Sequence, residues 1–303
     1  MRISTHQFQQ QGIRAITDME VKLSKTQLQI ATGKRVLTPA DDPGAAARIL
    51  DLQQSIDVTR QFQRNGEAAT ANLNLEESAL DSVTDLLQRI RELAVQAGTD
   101  TLNGHDRELI AKEVRQILDE MLGLANTVDA EGNYIFAGNK GHTKPFEQDQ
   151  SGSFIYSGDQ GQREVQIASR MQVSTGDNGF EVFKNIPESK EGGGKRDIFS
   201  TVYNYITSLE ADDPDPNILK DIDLAMDNIL VVYAKVGAGL NAIEKQKNVN
   251  EQYLLHVQEA LSLVADLDYA EAVSRLNQQM LGLQAAQQVF VRVQGLSLFN
   301  YIK

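Results

Sequence analysis

The sequence predicts a mainly α-helical chain with a small β-rich insertion: a long antiparallel helical bundle, coiled-coil terminal helices and an outer β domain. Three observations predict it. Proline occurs only at 39, 43, 145, 187, 214 and 216, so 44–144 and 217–303 are free of the strongest helix breaker. Half of the 22 glycines lie between Gly132 and Gly194, where turns and short strands are expected. On both flanks, apolar residues recur at alternating spacings of three and four, which keeps them on one helix face.

Near the N-terminus Ile16, Met19, Leu23, Thr26 and Ile30 occupy alternate a and d positions of a heptad repeat. A second stripe runs through Leu73, Leu80, Val83, Leu87, Ile90 and Ala94. The segment opened by "NGHDREL" carries a third, Ile110, Val114, Ile117, Met121, Leu124 and Val128. The middle has a period of two instead. "GSFIYSGDQGQREVQIAS" reads as strands Ser153–Tyr156 and Glu164–Ala168 joined by a glycine-containing turn, and "GNYIFAG" as a further aromatic strand. After "DPDPN", whose Asp and Asn suit a helix start, Ile222, Ala225, Ile229, Val232, Val236, Leu240 and Ile243 form a fourth stripe. Towards the C-terminus Val273, Leu276, Met280 and Leu283 fit a heptad, prolonged by Val289, Val293, Leu296 and Phe299. The terminal helices are the natural partners for each other.

Charge and composition narrow the function. A formal charge of -13 and a pI near 4.8 leave too few Lys and Arg for a nucleic-acid or anionic membrane surface. No run of 18 apolar residues offers a membrane span, and "MRISTHQFQQQG" lacks the apolar region of a cleaved secretory signal, which by itself suggests the cytosol. With no cysteine there is no disulfide, thiolate nucleophile or cysteine metal site. His6, His105, His142 and His256 stand apart, with no i, i+4 pair to seat a metal. "ADDPDPN" lacks the glycine and terminal glutamate of a calcium loop, and "EGGGKRD" is a flexible linker without the spacing of a phosphate loop. Gly237 and Gly239 form a lone G-x-G inside a helical stripe, where small residues let two helices approach. No acid-base pair stands out from a solvated surface, so neither a catalytic site nor a cofactor is expected. An interaction protein is the better class. Its expected assembly interface is the terminal stripe set: Ile16, Met19, Leu23, Ile30, Val273, Leu276, Met280, Leu283, Val289, Val293, Leu296 and Phe299.

Two longer motifs carry a resemblance. "LQIATGKRVLTPADDPGAAARI" resembles the N-terminal signature of the bacterial flagellin superfamily, and "DLDYAEAVSRLNQQMLGLQAA" its C-terminal counterpart. "GNYIFAGNKGHTKPF", "YSGDQGQREVQI" and "QGLSLF" are similar to the hook-filament junction branch rather than to filament flagellins. The resemblance implies three layers. Residues 1–42 with 258–303 would form an inner coiled-coil core, 43–135 with 200–257 a helical bundle, and 136–199 an outer β-rich domain. "PADDP" would break the chain between terminal helix and bundle and set how the two meet.

The resemblance further implies an extracellular place in the flagellum, reached through the flagellar type III apparatus without a cleaved signal, which displaces the cytosolic reading. Implied partners are further copies of the chain in a ring, hook-associated protein 1 on the hook side, flagellin beyond, and an export chaperone on the C-terminal segment. Filament flagellin and a cytosolic coiled-coil scaffold are the alternatives. The β-rich insertion argues against the scaffold.

Overall fold

The computed structural model describes residues 5–99, 102–149, 152–187 and 195–295, and the chain divides into two compact units. Of the predicted linker "EGGGKRD", 191–194 lie outside the described residues, as do Leu296 and Phe299, whereas Lys195 and Arg196 form a short strand and Asp197 caps the helix that follows, so that end is held by backbone pairing and a cap and is not a linker.

The larger unit, Thr59–Glu251, holds most of helix α2 (Pro43–Ala97), α3 (Gly104–Ala125), α4 (Ile198–Glu210) and most of α5 (Ile218–Ala265). The predicted stripes form its core. Leu80, Val83, Leu87 and Ile90 of α2, Val114 and Met121 of α3, and Ile222 and Ile229 of α5 are all fully buried. Gly239 lies close to Leu73, where an added Cβ would sit 3.4 Å from its Cδ1, whereas Gly237 has nothing within 4 Å. Local chemistry starts α3 where the sequence breaks: the Asn103 side chain accepts from Asp106 N at 3.0 Å while the Asp106 carboxylate receives Asn103 N, a reciprocal cap. The third stripe stops short of its predicted end. α3 finishes at Ala125, and Val128 is exposed in an isolated bridge with Tyr134.

The β-rich insertion consists, among the described residues, of three two-stranded antiparallel ladders. β1 (Phe146–Gln148) pairs with β2 (Phe154–Tyr156), β3 (Glu164–Ala168) with β4 (Met171–Ser174), and β5 (Ile186–Pro187) with β6 (Lys195–Arg196). Both predicted strands of the 153–168 segment exist, but they do not pair with each other. The connection between them is diverted by Asp159, whose carboxylate accepts from Asn139 N at 2.8 Å and Gly161 N at 2.9 Å, tying it to the 138–139 turn. "GNYIFAG" is a buried turn rather than a strand. Its Ile135, Phe136 and Ala137 point into the core while the backbone reverses, with Gly138 at φ +65°. A π-helical turn, Phe180–Lys184, then brings Phe183 against Phe136, Phe146 and Phe199, with ring centroids 5.2 to 5.5 Å apart.

The smaller unit comprises Met1–Val58 and Gln252–Lys303. It contains α1 (Thr5–Thr32), the first part of α2, the last part of α5, and α6 (Tyr269–Gly295). Ile56 of α2 and Leu254 and Val257 of α5 form its buried cluster, with Leu52 and Leu261 at the margin.

Candidate assembly interface

α1 and α6 pack on each other along their lengths. A Cβ on Gly12 would lie 2.8 Å from the Phe290 ring, and one on Gly33 would lie 2.9 Å from the Tyr269 hydroxyl. These pairs are 21 residues apart on both helices, so the two run antiparallel in one register for about 30 Å. The face of α1 turned to α6 reads Gly12, Ile16, Met19, Leu23, Thr26, Ile30, spaced four and three, all half-buried or buried. α6 answers with Ala272, Leu276, Gln279, Leu283, Ala286 and Phe290 in the same alternation. Gly12 is small where the helices meet closely, at Phe290, and an apolar-stripe reading passes over it and over Ala286. A glycine four residues before Ile16 in an otherwise regular heptad was the available signal.

The predicted interface residues therefore divide. Ile16, Met19, Leu23 and Ile30 of α1 and Leu276 and Leu283 of α6 are half-buried in the pair. Val273, Met280 and Val289 are exposed. At 100° per residue, Val273 and Met280 share one flank of α6 with exposed Val291, and Val289 lies on the other flank. α1 repeats the pattern. Val21, 63% exposed, and Leu28 lie on the face opposite its stripe. The Val293 side chain, Leu296 and Phe299 are outside the described residues.

The turn after α1 is held by charge and backbone together. Arg35 N donates to Ala265 O, and Leu267 N to Gly33 O, at 2.8 and 2.9 Å. The Arg35 guanidinium donates to Val264 O through Nε and Nη2 at 3.1 and 3.0 Å and meets the Asp42 carboxylate at 3.2 Å. Asp42 also caps α2, accepting from Ala45 N with Pro43 as the first helical residue. Asp41 accepts from Lys25 Nζ at 2.6 Å and from Leu37 N and Thr38 N at 3.1 and 3.0 Å. "PADDP" is thus more than a chain break: its two carboxylates join α1 to the start of α2. Arg35, whose bonds cross to the end of α5, carried no sequence signal, because its partner is a backbone carbonyl.

The Lys25 bond, with the Thr38 amide next, holds the Asp41 carboxyl down at about 2 against an ordinary 3.8. A depressed folded-state value stabilises above the unfolded value and is lost as pH falls through the folded one. The expected outcome is that wild type exceeds Asp41→Asn in thermal stability at pH 6 and that the gap closes between about pH 4 and 2. Parallel melting curves across that range would show that the ion pair contributes nothing.

Among the described residues no group of three His, Asp or Glu side chains converges to hold a metal ion. Among the same residues no helix is long and apolar enough to cross a membrane.

Comparison with known proteins agrees with both ends of the chain. The family model for the bacterial flagellin N-terminal helical region matches residues 3–141, and that for the C-terminal helical region matches 219–302. Flagellar hook-associated protein 3 of Escherichia coli K12 is 31% identical, with all of both chains covered. The crystal structure of flagellar hook-associated protein 3 from Legionella pneumophila superposes with a TM-score of 0.67 at 24% identity, covering 71% of this chain and 98% of that one. A crystal structure described as the flagellar junction protein FlgL from the same organism gives 0.61 at 23% identity, covering 72% and 99%.

Proposed function

The chain belongs to the bacterial flagellin family, in the branch of flagellar hook-associated protein 3, and on that premise we propose that it is the structural junction between flagellar hook and filament. In this reading, copies exported through the flagellar type III apparatus self-assemble into a ring. The ring contacts hook-associated protein 1 on one side and the first turn of flagellin on the other. Before export a chaperone covers the C-terminal segment. Residues 1–42 and 258–303 form the assembled core, 43–135 and 200–257 the surrounding bundle, and 136–199 the outer domain.

One observation supports the reading most. α1 and α6 satisfy one apolar face each by pairing, yet keep Val21, Leu28, Val273, Met280, Leu281 and Val289 in water. Exposed apolar rows on helices already paired are the form of a surface that further chains cover.

Deleting the gene should leave hooks intact while free flagellin appears in the medium, and the wild-type chain should restore filaments. Val21→Asp with Leu28→Asp should leave the free subunit within about 0.5 kcal/mol of wild type. Filament number should nevertheless fall roughly tenfold or more, because each buried Val or Leu contributes about 1.5–3 kcal/mol. Loss of the filament subunit itself on deletion would make this chain a flagellin. Wild-type filament counts from the double variant would remove that face of α1 from the interface.

A further inference from the structure

The larger unit buries two acids beside each other. Glu76 of α2 is 1% exposed, and Asp177, in the loop after β4, is 5% exposed. Asp177 N donates to both Glu76 carboxyl oxygens, at 3.1 and 3.3 Å. The Asp177 carboxylate in turn accepts from Lys235 Nζ of α5 and from Gln162 Nε2. The same loop is tied to the aromatic core through Gly179 N, which donates to Phe136 O at 2.8 Å. Three elements thus meet at two carboxyls and one ammonium.

The count of charges decides the protonation. Lys235 lies on Asp177 with its own side chain half in solvent, so its charge is matched by Asp177 first, and among the described residues no second ammonium bonds Glu76 to match another buried carboxylate. The next acid along α2, Glu77, bonds the Tyr233 hydroxyl of α5. Two like charges at one dry site do not both ionise near neutrality. We propose that Glu76 carries a proton at neutral pH beside the Asp177 carboxylate, and that its loss releases the 175–179 loop from α2, making the attachment of that loop, one of several ties between the β-rich insertion and the helices of its own unit, a proton-operated latch.

Burial first, and the Asp177 charge second, lift the Glu76 carboxyl to about 8, against an ordinary 4.5; the Asp177 amide and Lys235 pull the other way. An acid raised on folding contributes its full stability below its unfolded value and loses it as pH rises through the folded one. The latch is therefore closed through neutral pH and opens above about 8.

The test uses the full chain. Side-chain carbon NMR of labelled glutamate should show one carboxyl titrating near pH 8, absent from Glu76→Gln. Above that midpoint, amide exchange at Asp177 and Gly179 should accelerate about tenfold per pH unit beyond the rate in Glu76→Gln at the same pH. Asp177→Asn removes the repelling charge and should move the midpoint down, which keeps the test decisive even where Glu76→Gln does not fold. Glutamate midpoints all below about 6, the same alkaline loss in Glu76→Gln, or an unmoved midpoint in Asp177→Asn would each overturn the latch.

Discussion

Phe183→Ala is expected to remove about 3–5 kcal/mol from the stability of the Thr59–Glu251 unit. Phe183 touches three other rings, and all four are fully buried. Phe136 comes from the turn after α3, Phe146 from β1, Phe183 from the π-helical turn and Phe199 from α4. Short ladders of two to five residues do not hold together by their own hydrogen bonds. The rings are therefore what fixes the insertion to α4, and deleting the one they share leaves a cavity that rigid neighbours cannot close. In a unit of this size each kcal/mol moves the melting midpoint by about 2–4 °C, so calorimetry should find a fall of roughly 10 °C. Phe183→Leu retains most of the volume and should lose less than half as much. A drop below about 2 °C for the alanine variant would mean that the insertion collapses around the gap and is not fixed by this cluster.

The second large effect belongs to the terminal pair. Gly12→Val places carbon inside the Phe290 ring contact, where even a Cβ would stand 2.8 Å from Cδ2 and 3.0 Å from Cε2. Removing a helical glycine normally gains about 0.5–1 kcal/mol, so a loss here isolates the steric cost. Overpacking of this kind costs about 1–3 kcal/mol, and it falls on the contact by which the two helices pair. The expected result is faster amide exchange along both halves of the pair around Gly12 and Phe290, with assembly reduced at unchanged stability of the larger unit. Phe290→Ala in the same chain should restore part of the exchange protection. Failure of that rescue would show that valine acts on α1 alone and not through the contact.

The helical body was legible in the sequence because its evidence is periodic. Leu80, Leu87, Ile90, Val114 and Ile229 sit on their predicted faces and are all fully buried. Two kinds of feature were not legible. Pairing of the insertion depends on Asp159 reaching Asn139 N across 20 residues, a bond that no local pattern announces. The meeting of α1 and α6 depends on Gly12, Ala272, Gln279 and Ala286, which an apolar count ignores, so Val273 and Met280 were grouped with Leu276 and Leu283 on one stripe that the structure divides. The burial of Glu76 is illegible for a related reason. Glu76 and Glu77 are adjacent acids in the sequence, and only the return of the chain at Asp177, 101 residues later, places a partner on one of them.

The register of α1 on α6 has a consequence for time as well as for shape. Arg35 and Val264, which pin one end of that pairing, are 229 residues apart in the chain. A ribosome releases α1 first and α6 last, so for nearly the whole of synthesis α1 has no mate to close upon. The larger unit can close once residue 251 has emerged, whereas the smaller one waits for α6, across separations of more than 200 residues, where closure is slow. Closure of the terminal pair is thus the last of these contacts that synthesis makes available.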